Sequence, residues 1–192
     1  MPVIRTQRLI LIPATTAILR AELETSASLA EAVGLDVPAS WPPEYYDRDA
    51  VAWVLKMLEE NRFPADWGCY YIGETLSAEP MRLIGVGGFK GAPDASGTVE
   101  IGYGVVPEFR RRGYAREAVE AWIDWAFSDA RVSRIIAHTM RHLTPSIGVL
   151  ESTGFRYARD GGDANEPDAI EYDLSRATHD RVKQPSAFPL GQ

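Results

Sequence analysis

The spacing of apolar residues between positions 98 and 127 predicts a strand, a turn and a helix. Residues 98–106 form an apolar run typical of a strand, and Pro107 ends it because proline cannot donate to a sheet ladder. After the turn, apolar residues recur at the i, i+3, i+4, i+7 spacing of one buried helix face: Ala115, Ala118, Val119, Trp122, Ile123 and Ala126. This strand–turn–helix unit organises the rest of the chain.

Strand and helix patterns also occur on either side of this unit. We expect strands at 8–13, 68–74, 81–90, 134–140, 155–159 and 169–175. We expect helices from Thr15 or Thr16 to about residue 32, from Asp47 or Asp49 to about residue 61, and a short one capped by Thr144, with Pro145 first in it and Gly154 after its end. The alternation predicts an α/β (α+β) fold with a mixed, largely antiparallel sheet and helices on both faces.

The length of 192 residues fits one domain. We place that domain at residues 1–175. The remaining segment, 176–192, mixes charges, prolines and small residues, so we expect it to be poorly ordered or to cover a neighbour.

The turn before the central helix has the features of an anion site. At a helix N-terminus the first backbone N–H groups lack intrahelical partners, and the helix dipole adds partial positive charge. The candidate phosphate-binding residues are Arg110, Arg111, Arg112, Gly113, Tyr114 and Ala115. Gly113 leaves room for a ligand at the backbone. A solvated arginine-rich surface is the alternative. The turn has neither GxxxxGK[ST] nor GxGxxG, so it fits neither a P-loop nor a dinucleotide fingerprint.

The segment PxxRxxGYAxxA at 107–118, which follows VEIGY at 99–103, resembles the acetyl-CoA signature of GNAT N-acetyltransferases. More narrowly, it is similar to the branch that includes the ribosomal-protein N-terminal acetyltransferases. The segments TxRLxL at 6–11 and TPSIGVLESTGF at 144–155 resemble the first strand and the later helix-to-strand segment of that branch.

The resemblance implies a GNAT-like twisted sheet whose two central strands splay apart, with acetyl-CoA as acetyl donor in the wedge between them. Unpaired strand amides can bind a pantetheine arm as an added strand would. We expect Val105 and Val106 to make these contacts, and the N–H of one of them to stabilise the oxyanion. Residues 135–139 should form the other wall of the wedge.

Glu100 is the candidate general base. A carboxylate within an apolar strand is costly unless it is paired or functional. An acidic residue at this position often serves as base in GNAT enzymes, so the resemblance implies the same role. A carboxylate on the solvated strand face, or one paired with an arginine, is an equally good interpretation.

The chain departs from the family at the proton donor. Many GNAT enzymes have a tyrosine four residues before the glycine of the later Gly-Phe pair, but here the residue is Leu150, which cannot donate a proton. The family's asparagine is replaced by Leu143, although Ser146 is kept. Ser146 is therefore a candidate for catalysis or cofactor binding, and a hydroxyl near the helix cap is the alternative.

Other polar and aromatic residues are assigned structural roles first. We expect His138 to be a packed, hydrogen-bonded core histidine, and Cys69 to be a packed thiol in a strand. His142 could reach the acceptor, but no spacing supports a metal site. The aromatic residues Trp41, Tyr45 and Tyr46 either close over an acceptor amine or, as we slightly favour, pack their loop onto the sheet.

Composition narrows the range of possible binding partners and cellular locations. The net charge of −7 disfavours nucleic acid, and neither a membrane span nor a signal peptide is recognisable. A single cysteine fits a reducing, cytoplasmic setting. The predicted acceptor is an amine-bearing small molecule or a peptide N-terminus, and a homodimer is an open prediction. The alternative function is a non-catalytic acyl-CoA-binding or sensor domain on the same fold, which the replaced tyrosine and asparagine motivate.

Overall fold

The computed structural model describes residues 2–62, 67–76, 81–161 and 167–183. Within these residues the strands are β1 (Ile4–Arg5), β2 (Leu9–Pro13), β3 (Cys69–Glu74), β4 (Arg82–Phe89), β5 (Thr98–Val105), β6 (Arg134–Met140), β7 (Arg156–Asp160) and β8 (Ala169–Ser175). They form one sheet in the order β1-β2-β3-β4-β5-β6-β8-β7. Neighbouring strands are antiparallel except β5 and β6, which are parallel. The predicted mixed, largely antiparallel sheet is confirmed.

Helices cover both faces of the sheet, as predicted. They are α1 (Thr16–Glu24), α2 (Ser26–Val33), α3 (Arg48–Glu59), α4 (Tyr114–Ser128), α5 (Thr144–Ser152) and α6 (Arg176–Lys183), with a 3₁₀ turn at Pro107–Phe109. The apolar cluster on one face includes α4 and α5, and the cluster on the other face includes α1, α2 and α3. The sheet therefore separates two apolar layers.

The buried face of α4 follows its sequence pattern. Five of the six predicted positions, from Ala118 to Ala126, are at most 3% exposed, and Ala115 is partly buried. Tyr114 and Phe127 join the buried set at the two ends of the helix. At about 25 cal/mol per Å² of apolar surface, such a face supplies most of the stability of a helix packed on a sheet.

The prediction of one helix from Thr15 or Thr16 to residue 32 was wrong, because Thr25 divides it. The Thr25 backbone N–H donates to the Ala21 carbonyl and closes α1, while its hydroxyl accepts from the Ser28 N–H at 3.0 Å and starts α2. Thr25 itself has extended backbone angles. A threonine can cap the following helix in this way, and that local bond competes with helix continuation.

One helix start differs from its prediction, and another is decided between two predicted residues. Leu143 is the N-cap of α5 and supplies no side-chain cap, so Thr144 is the first helical residue and Pro145 the second. Asp47 caps α3 through the Ala50 N–H at 2.9 Å, which selects it over Asp49. Gly154 follows α5 with φ of 95°, as its predicted place after the helix requires.

Two alternatives were predicted for the segment from residue 176, poor order or covering a neighbour, and poor order does not apply to α6. Arg176 donates to the backbone carbonyls of Phe127, Asp129 and Val132, and its guanidinium lies 5.1 Å from the Phe127 ring centroid. These bonds fix the start of α6 against the end of α4. Residues 184–192, and parts of the segments between the strands predicted at 68–74 and 81–90 and between those at 155–159 and 169–175, lie outside the described residues.

Two further findings concern the short strand β1 and the search for a membrane-spanning helix. The short strand β1 was not predicted, since its two residues carry too little pattern to be recognised. Among the described segments, no helix combines the length and apolar character needed to cross a bilayer.

Candidate active site

The parallel strands β5 and β6 pair only over their first halves. Thr98–Ile101 lies beside Arg134–Ala137, and no pairing between the two strands continues beyond Ile101 in the described sheet. β5 nevertheless runs on to Val105, and β6 continues to Met140 in register with β8. The two strands therefore separate and leave a wedge, as the family resemblance implied.

Hydrogen-bonded and non-hydrogen-bonded residues alternate along the β4–β5 ladder, and this alternation decides which backbone groups of β5 point away from β4. The Lys90 N–H donates to Glu100 and the Val106 N–H donates to Ile84, so these pairs are hydrogen-bonded. In an antiparallel ladder the alternate residues, here Tyr103 and Val105, point their backbone groups away from the partner strand. The Val105 N–H consequently faces the wedge.

Between the two candidate oxyanion donors, the backbone favours Val105. The Val106 N–H is bonded to the Ile84 carbonyl at 3.0 Å, and its own carbonyl accepts from the Phe109 N–H. The Val106 N–H therefore already has a backbone partner. The Val105 carbonyl accepts from Arg110 Nε at 2.8 Å, which ties this strand end to the following turn.

The turn into α4 leaves the helix N-terminus without a side-chain cap. Gly113 is the N-cap, with φ of 80°, and Arg111 also has a positive φ of 61°. Both residues use the left-handed region, which glycine enters readily and arginine does so at a cost. The first N–H groups of this 15-residue helix lack an acceptor from the cap, which is the arrangement of an anion site.

The predicted phosphate-binding residues divide into two groups. Arg110 is turned toward the protein, because its remaining guanidinium contact is Glu44 at 2.9 Å, so it braces the turn. The Tyr114 ring is buried, with its hydroxyl 3.3 Å from Glu74, and only its backbone remains for an anion. Arg111 and Arg112 are exposed beside the helix start.

Arg8 lies against this turn, a contact that the sequence did not reveal. It reaches from the bend just before β2, with Nε 2.6 Å from Glu117 and one Nη donating to the Arg112 carbonyl at 3.0 Å. Its guanidinium also lies 4.8 Å from the Tyr114 ring centroid. Arg8 thus adds a fixed positive charge beside Gly113, and its partner lies 109 residues away in the chain.

Glu100 lies in an ion pair, with one oxygen 2.5 Å from Lys90 Nζ and 3.0 Å from His138 Nδ1. Its side chain is 26% exposed, so solvent and a ligand can still reach it. The partner is a lysine, whereas the structural alternative anticipated an arginine. Pairing holds the carboxylate in position, and it is compatible with both interpretations of Glu100.

The predicted packing of His138 in the core was wrong, although its hydrogen bonding was correct. The ring is 27% exposed and lies between Glu100 and Glu171, with Nε2 3.5 Å from the latter. Glu171 has no exposed side-chain surface and accepts from Arg134 at 2.7 Å and from Arg159 at 2.6 Å. Burial alone would raise the pKa of Glu171, but these cations lower it below its usual value.

Ser146 contacts a residue that was not predicted to take part. The Tyr103 hydroxyl lies 3.2 Å from Ser146 Oγ and 3.1 Å from the Ser146 carbonyl. Burial raises the pKa of Tyr103 to about 12, against the lowering effect of the bond to Ser146. Leu150 is fully buried in the core, as its apolar character requires.

A cavity of about 260 Å³ lies on the face of the sheet opposite α4. Its floor contains glycines of β4 and β5, and its walls come from α3 and the preceding loop. Tyr45 is 71% exposed and Trp53 is 50% exposed at its rim. Lys90, which holds Glu100, also lines this cavity, so the cavity adjoins the candidate base.

Two of the three loop aromatics pack, as favoured from sequence. Trp41 and Tyr46 donate to Glu22 at 2.8 and 3.1 Å, and Tyr71 donates to the same carboxylate at 2.5 Å. Burial raises the pKa of Glu22, partly offset by these bonds. The carboxylate therefore fastens the loop to α1 and β3, and Tyr45 is the exposed loop aromatic at the rim of the cavity.

Two further predictions concern the Cys69 thiol and the absence of a metal site at His142. Burial raises the pKa of the Cys69 thiol to about 12, which fits a structural role and not a nucleophile. His142 is exposed before α5. Among the residues that the structure describes, no group of three or more His, Cys, Asp or Glu side chains could hold a metal ion.

Comparison with known proteins agrees with this geometry. The model of the acetyltransferase (GNAT) domain family matches residues 8–156. The uncharacterized N-acetyltransferase YjdG of Bacillus subtilis (strain 168) is 30% identical over 123 residues, which cover 64% of this chain and 71% of that protein.

Two solved structures share the fold at low identity. One is the ribosomal L7/L12 α-N-protein acetyltransferase RimL in complex with coenzyme A, with a TM-score of 0.62, 14% identity and coverage of 91% of this chain and 98% of that one. The other is spermidine N-acetyltransferase from Vibrio cholerae in complex with CoA and spermine, with a TM-score of 0.61, 15% identity and coverage of 91% and 99%. With the family match over most of its length, the chain belongs to the GNAT acetyltransferase family.

Proposed function

We propose that the protein is an acetyl-CoA-dependent N-acetyltransferase that moves the acetyl group directly from the thioester to a primary amine in a ternary complex. The observation that carries this proposal is the wedge between β5 and β6 beside the uncapped N-terminus of α4. The wedge offers backbone amides to a pantetheine arm, and the helix end offers N–H groups to a diphosphate.

The donor site follows from these two features. The diphosphate would lie on the backbone N–H groups of residues 112–115, with Arg8, Arg111 and Arg112 supplying positive charge nearby. The pantetheine arm would pair with the free edge of β5. The acetyl oxygen would then accept a hydrogen bond from the Val105 N–H, which stabilises the negative charge of the tetrahedral intermediate.

The acceptor would enter from the cavity on the opposite face. Its amine must be neutral to attack the carbonyl carbon, and Glu100, directly or through water, takes the proton. Lys90 and His138 hold the carboxylate in place. We keep both acceptor classes, an amine-bearing small molecule and a peptide N-terminus, because the two CoA-bound neighbours are described with one of each kind.

Membership of the ribosomal-protein N-terminal acetyltransferase branch, a homodimer and a cytoplasmic location are further proposals. The first is supported by the likeness to the L7/L12 α-N-protein acetyltransferase. A non-catalytic acyl-CoA sensor would bind the same ligand without turnover, and measuring turnover therefore separates it from the enzyme.

The test combines calorimetry with acetyl-CoA and thiol release across a panel of amines. Glu100→Gln should keep the acetyl-CoA dissociation constant within about twofold and lower kcat about 100-fold or more at neutral pH, since general bases contribute roughly 10²–10⁴. The matched control is Lys90→Met, which breaks the same ion pair but leaves the carboxylate. An absence of acetyl-CoA binding would overturn the function, and equal losses in both variants would remove Glu100 as base.

A further inference from the structure

The Tyr103 hydroxyl lies on the face of the sheet where the proposed CoA thiol would leave. Side chains alternate along β5, so Glu100 and Tyr103 lie on opposite faces of the sheet. Glu100 pairs with Lys90, which lines the acceptor cavity. Tyr103 also contributes to the lining of that cavity, but it packs against the core cluster of α4 and α5. The α4 N-terminus, where a diphosphate would bind, belongs to the Tyr103 side.

The phenol of Tyr103 reaches across the separation of the two strands. It leaves β5 after the last residue that pairs with β6, and its hydroxyl contacts Ser146 in α5, the helix that follows β6. The same strand carries the Val105 N–H two residues later. A group held between that N–H and α5 would therefore lie next to the phenol.

We propose that Tyr103 protonates the departing CoA thiolate, in the role that Leu150 cannot fill, and that Ser146 orients its hydroxyl. This inference rests on the proposed acetyltransferase function. When the carbon–sulfur bond breaks, its electron pair stays on sulfur, and the Tyr103 O–H proton moves to that sulfur. The phenolate regains a proton from water, by way of the Ser146 hydroxyl, while the proton of the amine leaves through Glu100.

The protonation state of Tyr103 agrees with this role. A phenol that must donate is required in its neutral form, and a pKa near 12 keeps it neutral throughout the physiological range. Ser146 accepts or donates a hydrogen bond through Oγ, so it can bond the phenol before and after proton transfer.

The experiment compares Tyr103→Phe with Tyr172→Phe. Tyr172 is also buried on this face, and its hydroxyl likewise holds α5 by donating to Glu151 at 3.1 Å. Thiolates leave readily, so the loss should fall near the lower end of general acid catalysis, about 100-fold in kcat for Tyr103→Phe. The acetyl-CoA dissociation constant should stay within about twofold. Tyr172→Phe should retain kcat within about threefold.

A second measurement follows the pH dependence of kcat. Replacing Tyr103 by a fluorinated tyrosine, whose phenol ionises more easily, should bring a loss of kcat at alkaline pH into the measurable range. The same replacement at Tyr172 should leave the alkaline limb unchanged. A role limited to holding α5 would not move this limb.

The inference is overturned if Tyr103→Phe retains wild-type kcat, if both phenylalanine variants lose kcat equally, or if the alkaline limb stays fixed. Each of these results would leave the proposed function standing, provided that the wild-type protein binds acetyl-CoA and releases thiol with an amine. Failure of the wild type in those two assays would remove the function itself.

Discussion

Gly113→Ala perturbs the proposed diphosphate site at the N-cap of α4. Gly113 has φ of 80°, and a Cβ added there would lie 3.3 Å from an Arg8 Nη. The left-handed conformation costs an alanine about 1–2 kcal/mol. To relieve it, the cap must turn and move the neighbouring N–H groups, or Arg8 must give up its place beside Glu117 and the Arg112 carbonyl.

The effect on ligand binding should exceed the effect on stability. A hydrogen bond to a charged group contributes about 1.5–3 kcal/mol, so losing one N–H contact to the diphosphate should weaken acetyl-CoA binding about 10- to 100-fold. Calorimetry measures the dissociation constant, and urea unfolding measures the free energy of unfolding. We expect Gly113→Ala to be 1–2 kcal/mol less stable, on the order of the conformational cost.

Gly34→Ala provides the matched control. Gly34 ends α2 with φ of 69°, and a Cβ there would meet nothing within 4 Å. It should lose about the same stability, roughly 1–2 kcal/mol, and keep the wild-type dissociation constant. If Gly113→Ala binds acetyl-CoA as tightly as Gly34→Ala does, the diphosphate does not rest on this turn.

Three further predictions concern the scaffold and the thiol. Arg176→Met should lower the free energy of unfolding by about 2–4 kcal/mol in urea, because it deprives three carbonyls of a charged donor. Glu171→Gln should cost about 1–3 kcal/mol at pH 7, reduced by the partial exposure of its arginine partners. Since the folded state lowers the Glu171 pKa, this difference should be fully present above the ordinary glutamate pKa of about 4.3 and should shrink as the pH falls from there through the lowered folded value. Cys69 should react with a thiol reagent at pH 8 much more slowly in the folded than in the unfolded protein, because few thiolates form below a pKa of about 12.

A specific result would contradict each of these three predictions. Arg116→Met removes an exposed pair with Glu120 and should change stability by less than about 0.5 kcal/mol, so equal losses at Arg176 and Arg116 would refute the first. A Glu171→Gln deficit that grows on acidification would refute the second. Labelling of Cys69 at equal rates in both states would refute the third.

Much of the fold was predictable because the local spacing of apolar residues determines its strands and helices. The bounds of β6 at Arg134–Met140 agree with the apolar run at 134–140, and the buried positions of α4 follow its helical spacing. The break at Thr25 was missed because both sides of it carry helical pattern, and one side-chain bond decides the boundary. The bonds from Arg176 that seat α6 connect residues 44 to 49 positions apart, beyond any local pattern.

The site was predictable in its backbone and much less in its side-chain contacts. The glycine at the turn and the uncapped helix start follow from sequence, because both are local. The contact between Tyr103 and Ser146 spans 43 residues, and Tyr103 looked like an ordinary strand residue. Lys90 could not be assigned to Glu100 without the pairing of β4 and β5, which brings their backbones together.

The most direct measurement of the central claim is a crystal structure of the protein with acetyl-CoA. We predict that the diphosphate oxygens accept hydrogen bonds from backbone N–H groups of residues 112–115, and that the thioester oxygen lies within hydrogen-bond distance of the Val105 N–H. A nucleotide bound away from the α4 N-terminus, with the space between β5 and β6 filled by protein side chains, would contradict it.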